Sequence, residues 1–206
     1  GCLRISKESI FTVLNNLNII SILNHNFSEY FGFTEKEIKK ICADYHMESQ
    51  YTLCQEWYNG YIFGESNVYN PWSVIKFMYD LQADSNCFPS AYWANTSSNS
   101  IVRKLIECAN DETKEEIEAL IEGKSIEKPV HEDITYDEIY NTMDNLWNFM
   151  FFTGYFRKVR QRMDESTKQQ YVEIMIPNQE VKYIFRTKVL SWFQEKIVEK
   201  DLTALY

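Results

Sequence analysis

Two groups of basic side chains have the type and spacing to hold phosphate. Arg4 and Lys7 stand at and just beyond the end of C-L-R-I-S (2–6), whose apolar–polar alternation reads as a half-buried strand. In parallel α/β sheets, ligands bind outside the carboxyl ends of the strands. A guanidinium there can grip phosphate oxygens bidentately. The alternative is a pair of solvated surface charges. Arg157, Lys158, Arg160 and Arg162 fall in Y-F-R-K-V-R-Q-R (155–162), a second strand and its turn. A basic hairpin can lie against nucleic-acid phosphates, although a basic surface is weak evidence in a chain of net charge -9.

Other chemistry has no carrier. The chain has no G-x-x-x-x-G-K-[ST] phosphate loop, no G-x-G-x-x-G and no G-x-S-x-G elbow. Gly60 and Gly64 have no Lys-Ser/Thr after them and are not a phosphate cradle. No strand-borne Asp is followed by Glu-x-Lys, the pattern of metal-dependent nucleases. Five cysteines without a CxxC, and three scattered histidines, give no zinc pattern and read as reduced thiols in a cytosol. No self-contained active site and no metal site is expected. No apolar run approaches about 18 residues, which excludes a helical membrane span. No signal peptide is visible, and the absence of an initial Met predicts a processed or excised piece.

Several elements must position these residues. The densest signal is W-Y-N-G-Y-I-F-G-E-S-N-V-Y-N-P-W-S (57–73). Gly60 and Gly64 predict a tight, hairpin-like loop. Asn70-Pro71 predicts a helix start, with Asn capping and Pro at the first helical position. Trp57, Tyr61, Phe63 and Trp72 are expected to be mostly buried, bracing one module against another. Ile19, Ile20, Ile22 and Leu23 predict a strand, which with 2–6 would need partners from a larger sheet. Helices are expected over 34–45, 49–58, 71–81 and 100–109. Capping boxes are read at Thr34–Glu37, Thr113–Glu116 and Thr135–Glu138, the last opening a long helix through Phe152. Strands over 155–162 and 171–176, joined by a charged turn, make a wing, and Pro177-Asn178 caps a final helix with Val181, Ile184, Phe185, Val189, Phe193 and Ile197 inward. Charge divides the same way: 11 basic and 23 acidic residues precede Gly154, against 10 and 6 over 154–200. Residues 107–144 are rich in acid, a solvated face or a partner surface.

Six stretches of this chain resemble the AAA-ATPase-like family of bacterial proteins, in the family's order. They are 1–17, E-W-Y-N-G-Y-I-F-G (56–64), Y-N-P-W-S-V-I (69–75), Y-W-A-N-T-S-S-N (92–99), L-W-N-F-M-F-F-T-G-Y-F (146–156) and I-P-N-Q-E-V (176–181). One departure is Val13, where the family usually has Gly. The resemblance implies a mainly α, small-β (α+β) piece lying after the Walker motifs of a P-loop ATPase. Residues 1–33 would be a remnant of the ATPase core, 34–133 a helical lid region and 134–206 a winged-helix-like module. Arg4 would occupy the sensor position near a γ-phosphate, with Lys7 beside it. The fragment itself is expected to hold no cofactor and do no catalysis, with ATP and Mg implied for the intact protein. Its partners would be the upstream ATPase core and a downstream nuclease-like domain. A regulatory module that transmits nucleotide state is the leading expectation. A nucleic-acid-binding winged helix and an interaction module using the acidic helices are the alternatives.

Overall fold

The computed structural model describes residues 21–24, 26–95, 100–131 and 138–203. Within them, seven α-helices and two three-stranded antiparallel sheets give an α+β protein. Arg4 and Lys7, the strand over 2–6 and the capping Thr135 lie outside the described residues, as do the side chains of Phe193 and Ile197.

The first unit begins with β1 (Phe33–Thr34) and α1 (Glu35–Asp44). The Thr34–Glu37 capping box forms: Glu37 N–H donates to Thr34 Oγ1, and Thr34 N–H to Glu37 Oε2 at 2.8 Å. Helix α2 (Tyr51–Tyr58), strands β2 (Tyr61–Phe63) and β3 (Ser66–Tyr69), and helix α3 (Pro71–Ala83) follow. The sheet order is β1-β3-β2, with Phe63 paired to Ser66 across the hairpin turn. Asn70 accepts from Trp72 N–H, and Pro71 is the first residue of α3. Ile38, Cys42, Cys54, Tyr58, Tyr69, Val74, Phe77 and Leu81 form this unit's core. Burial pushes the Cys54 thiol up to about 12, so it packs as a small hydrophobe.

The second unit has α4 (Ser100–Cys108), α5 (Asp111–Glu122), β4 (Ile126–Pro129), α6 (Met143–Phe152), β5 (Arg157–Met163), β6 (Gln170–Met175) and α7 (Gln179–Thr203). Its sheet runs β4-β6-β5: the first strand pairs with the third, and the β5–β6 hairpin leaves β5 on an edge. Trp147, Phe151, Tyr155, Phe156, Phe185, Leu105 and Leu120 centre its core, which reaches back to Leu23. Asn148 ties α6 to β4. Its Oδ1 accepts from His131 N–H, and its amide donates to the Pro129 and Asp144 carbonyls, all at 2.8 Å.

The structure corrects several expectations. Ile22 and Leu23 lie in a turn closed by Asn24 N–H to the Ser21 carbonyl, not in a strand. Thr113 does not cap α5. It is buried, and Asn110 one turn earlier accepts its N–H. Helix α6 begins at Met143, capped by Thr142 through Asn145 N–H, so it is shorter than the pattern predicts. Strands β1 and β4 have no counterpart in the sequence reading. β4 is four residues long and ends in Pro129, which an edge strand tolerates and which weakens any propensity signal.

Candidate functional site at the junction of the two units

The predicted aromatic corner is where the units meet, but its burial is uneven. Trp57, Tyr61 and Phe63 are half-buried, and Trp72 is 53% exposed, contrary to expectation. Trp72 points away because Asn70 and Pro71 start α3 with Ser73 and Val74 facing inward. The fully buried rings are instead Tyr58 and Tyr69. Tyr58 hydroxyl donates to the Ser90 carbonyl at 3.0 Å and accepts from Ser90 N–H at 3.1 Å, pinning the chain that leads to Trp93. Phe63 stacks on Phe31 with ring centres 5.3 Å apart, and Trp57 lies 6.5 Å from Tyr183 on α7.

Gly60 and Gly64 take φ of 101° and 55°. At Gly60 the lack of a side chain is required twice over. The backbone is left-handed, and a β-carbon would sit 2.2 Å from the Pro177 carbonyl oxygen. The first unit's backbone thus rests directly on the turn that starts α7. One residue on, Asn178 does two jobs: its amide donates to the Asn59 carbonyl at 2.8 Å, and its Oδ1 caps α7 by accepting from Val181 N–H at 3.0 Å. Tyr61 extends from Gly60 toward Gly154 and Trp93, and burial pushes its phenol pKa up.

At the centre of this junction is Glu180, with no solvent exposure. Both carboxylate oxygens accept from Ser73 Oγ at 2.9 Å, and Oε1 also accepts from Trp93 N–H at 2.9 Å. One side chain therefore joins α7, α3 and the 3-10 turn Tyr92–Asn95. Among the described residues no Lys or Arg forms an ion pair with it. Burial pushes its carboxyl up to about 7, against the pull of the hydrogen bonds from Trp93 N–H, Ser73 and Tyr92 N–H. Glu180 gives no signal of this role in the sequence. An acid at the second position of a helix ordinarily reads as an exposed partner of the helix dipole, and its partner Ser73 lies 107 residues away.

The basic segment is assembled as strand β5, but much of its charge is already engaged. Arg160 pairs with Glu173 on β6. Arg162 donates through Nε to Glu127 Oε1 at 2.8 Å and lies 4.4 Å from the Tyr171 ring centre. The Arg162 hydrogen bond holds the Glu127 carboxyl below its usual range. Lys158 donates to Gln161 Oε1 at 3.2 Å, and burial lowers its ammonium pKa. Arg157 Nε is enclosed without a hydrogen-bond acceptor. Helix α6, which precedes the β5–β6 hairpin, carries no Lys or Arg. The acidic helix α5 is also partly engaged, with Lys128 Nζ 2.6 Å from Glu116 and Lys114 Nζ 2.8 Å from Asp111. No group of three or more His, Cys, Asp or Glu able to hold a metal occurs among the described residues, and no helix there is long and apolar enough to cross a membrane.

The chain is similar to an uncharacterized protein encoded in the vnfD 5′ region of Azotobacter chroococcum mcd 1. The two are 33% identical over 106 residues, which is 52% of this chain and 19% of that protein. The match thus spans about a fifth of the relative's length. No family model and no solved structure matches the chain.

Proposed function

We propose that this chain is the lid and winged-helix portion of an AAA-type P-loop ATPase, which couples nucleotide state to a partner domain and does no catalysis alone. The observation that carries the winged-helix part is the strand order β4-β6-β5 behind α5, with α6 leading into the β5–β6 hairpin. In a winged helix the strand after the first helix pairs with the second strand of the wing, as β4 pairs with β6 here. The ATPase part rests on the six ordered resemblances. The junction at Gly60, Asn178 and Glu180 supports the coupling role, since a displacement of α3 would be felt by α7 through buried contacts.

Arg4 is the nucleotide-facing residue of this reading, with Lys7 beside it and Mg bound by the upstream core. The test is ATP affinity by calorimetry in a protein in which this chain follows its natural upstream sequence. Arg4→Ala should weaken ATP binding or turnover about tenfold or more, the scale of a lost charge-assisted phosphate contact. Unchanged affinity and turnover would remove Arg4 from the site.

The nucleic-acid alternative draws less support, because Arg160 and Arg162 are paired within the sheet and α6 offers no cation. Salt-dependent duplex binding lost on substituting Arg157 and Arg160 would favour it over the coupling role.

A further inference from the structure

We propose that Glu180 is a proton-operated catch that holds the two units together, closed when its carboxyl carries a proton and loosened when that proton is lost. This goes beyond the ATPase reading and does not depend on it.

The geometry gives the catch its two states. As a carboxylate, Glu180 accepts from Ser73 Oγ and Trp93 N–H. As an acid it can keep the Trp93 bond on Oε1 and donate from the other oxygen to Ser73 Oγ, since a hydroxyl both donates and accepts. In either form the Glu180 carboxyl keeps Ser73 and Trp93 as partners, so protonation need not break the fold. They differ in charge. The carboxylate form buries a negative charge with no Lys or Arg paired to it among the described residues, and that burial is costly. The groups facing it are Ser73 from α3, the backbone N–H groups of Trp93 and Tyr92 from the 3-10 turn, and the phenols of Tyr58 and Tyr61 from α2 and β2. Both phenols are themselves raised by burial, so neither titrates before Glu180. Asp80, one step further out, accepts from Tyr92 hydroxyl at 2.6 Å.

The direction of the effect follows from linkage. The carboxyl titrates near 7 in the closed junction and near its ordinary 4.5 when exposed. Between those values the closed form holds the extra proton. Its stabilisation is complete below pH 4.5 and is lost as pH rises through 7. The hydrogen bonds given above for this junction are Ser73 and Trp93 to Glu180 and Asn178 to Asn59, beside the Gly60–Pro177 approach and the Trp57–Tyr183 ring contact.

The test is amide hydrogen exchange of the peptide containing Tyr92 and Trp93, in the whole chain, corrected for the intrinsic pH dependence of exchange. From pH 5.5 to pH 8.5 the corrected opening should increase about tenfold or more, and Glu180→Gln, which cannot ionise, should abolish that increase. Where Glu180→Gln fails to fold, carbon-13 labelling of glutamate carboxyls in the unsubstituted protein gives the answer directly. A Glu180 resonance with a midpoint near neutrality is expected, moved by Ser73→Ala. Equal pH dependence in Glu180→Gln and the unsubstituted protein, or a Glu180 midpoint below 5, would overturn the catch.

Discussion

At the scale of single residues, the junction depends on a side chain missing at Gly60 and on a buried carboxyl at Glu180. Gly60 has no tolerable replacement, because its left-handed backbone and the Pro177 carbonyl oxygen exclude a β-carbon together. Gly123 makes the comparison. It takes a similar φ of 93°, yet a β-carbon there would meet nothing within 4 Å. Gly123→Ala should therefore cost only the left-handed conformation, about 1 kcal/mol. Gly60→Ala should cost about 3 kcal/mol or more, since strain and a backbone clash add. Urea unfolding of the two variants measures the difference; equal costs would mean that the Gly60–Pro177 approach is not a constraint. Glycine at 60 was legible in the sequence as a turn. The reason it must be glycine was not, because Pro177 is far away in the chain.

At the scale of elements, local chemistry predicted helix and strand identity well where the signal was local. The Thr34–Glu37 box, the Asn70-Pro71 start and the Asn178 cap all form. Each depends on atoms within three residues. The Thr113–Glu116 box failed because Asn110, an equally good cap, lies one turn earlier and lets Thr113 turn inward. Strand β4 was invisible because its pairing with β6 is set by tertiary contact rather than by propensity. Asn148 shows how that contact is secured: a buried polar side chain on α6 bonds the backbone on either side of Val130, where the chain leaves β4. Asn148→Leu would leave His131 N–H and the Pro129 carbonyl without this partner. It should destabilise the protein by about 2–4 kcal/mol, measured by chemical denaturation. A cost under about 1 kcal/mol would show that β4 is held by strand pairing alone.

At the scale of the whole molecule, two small cores share one buried seam. Among the described residues neither sheet has more than three strands, and each is completed by helices that the other unit touches. The sequence placed this seam at the aromatic corner but expected aromatic side chains to form it. The structure puts backbone contact, Asn178 and the Glu180 carboxylate there, with Trp72 left at the surface. Aromatic density is readable in a sequence; which ring turns inward depends on where Asn70 and Pro71 start α3. In the coupling role proposed above, such a seam would carry a displacement of one unit to the other. The most direct measurement is ATP turnover in a protein where this chain follows its natural upstream sequence, compared with the same protein carrying Asn178→Ala, which removes the Asn59 contact and the α7 cap and leaves Arg4 and Lys7, the residues proposed to face nucleotide, unsubstituted. The coupling account predicts measurable turnover that falls about fivefold or more in the variant while circular dichroism stays unchanged. Absence of turnover in the unsubstituted protein, or turnover indifferent to Asn178→Ala, would contradict it.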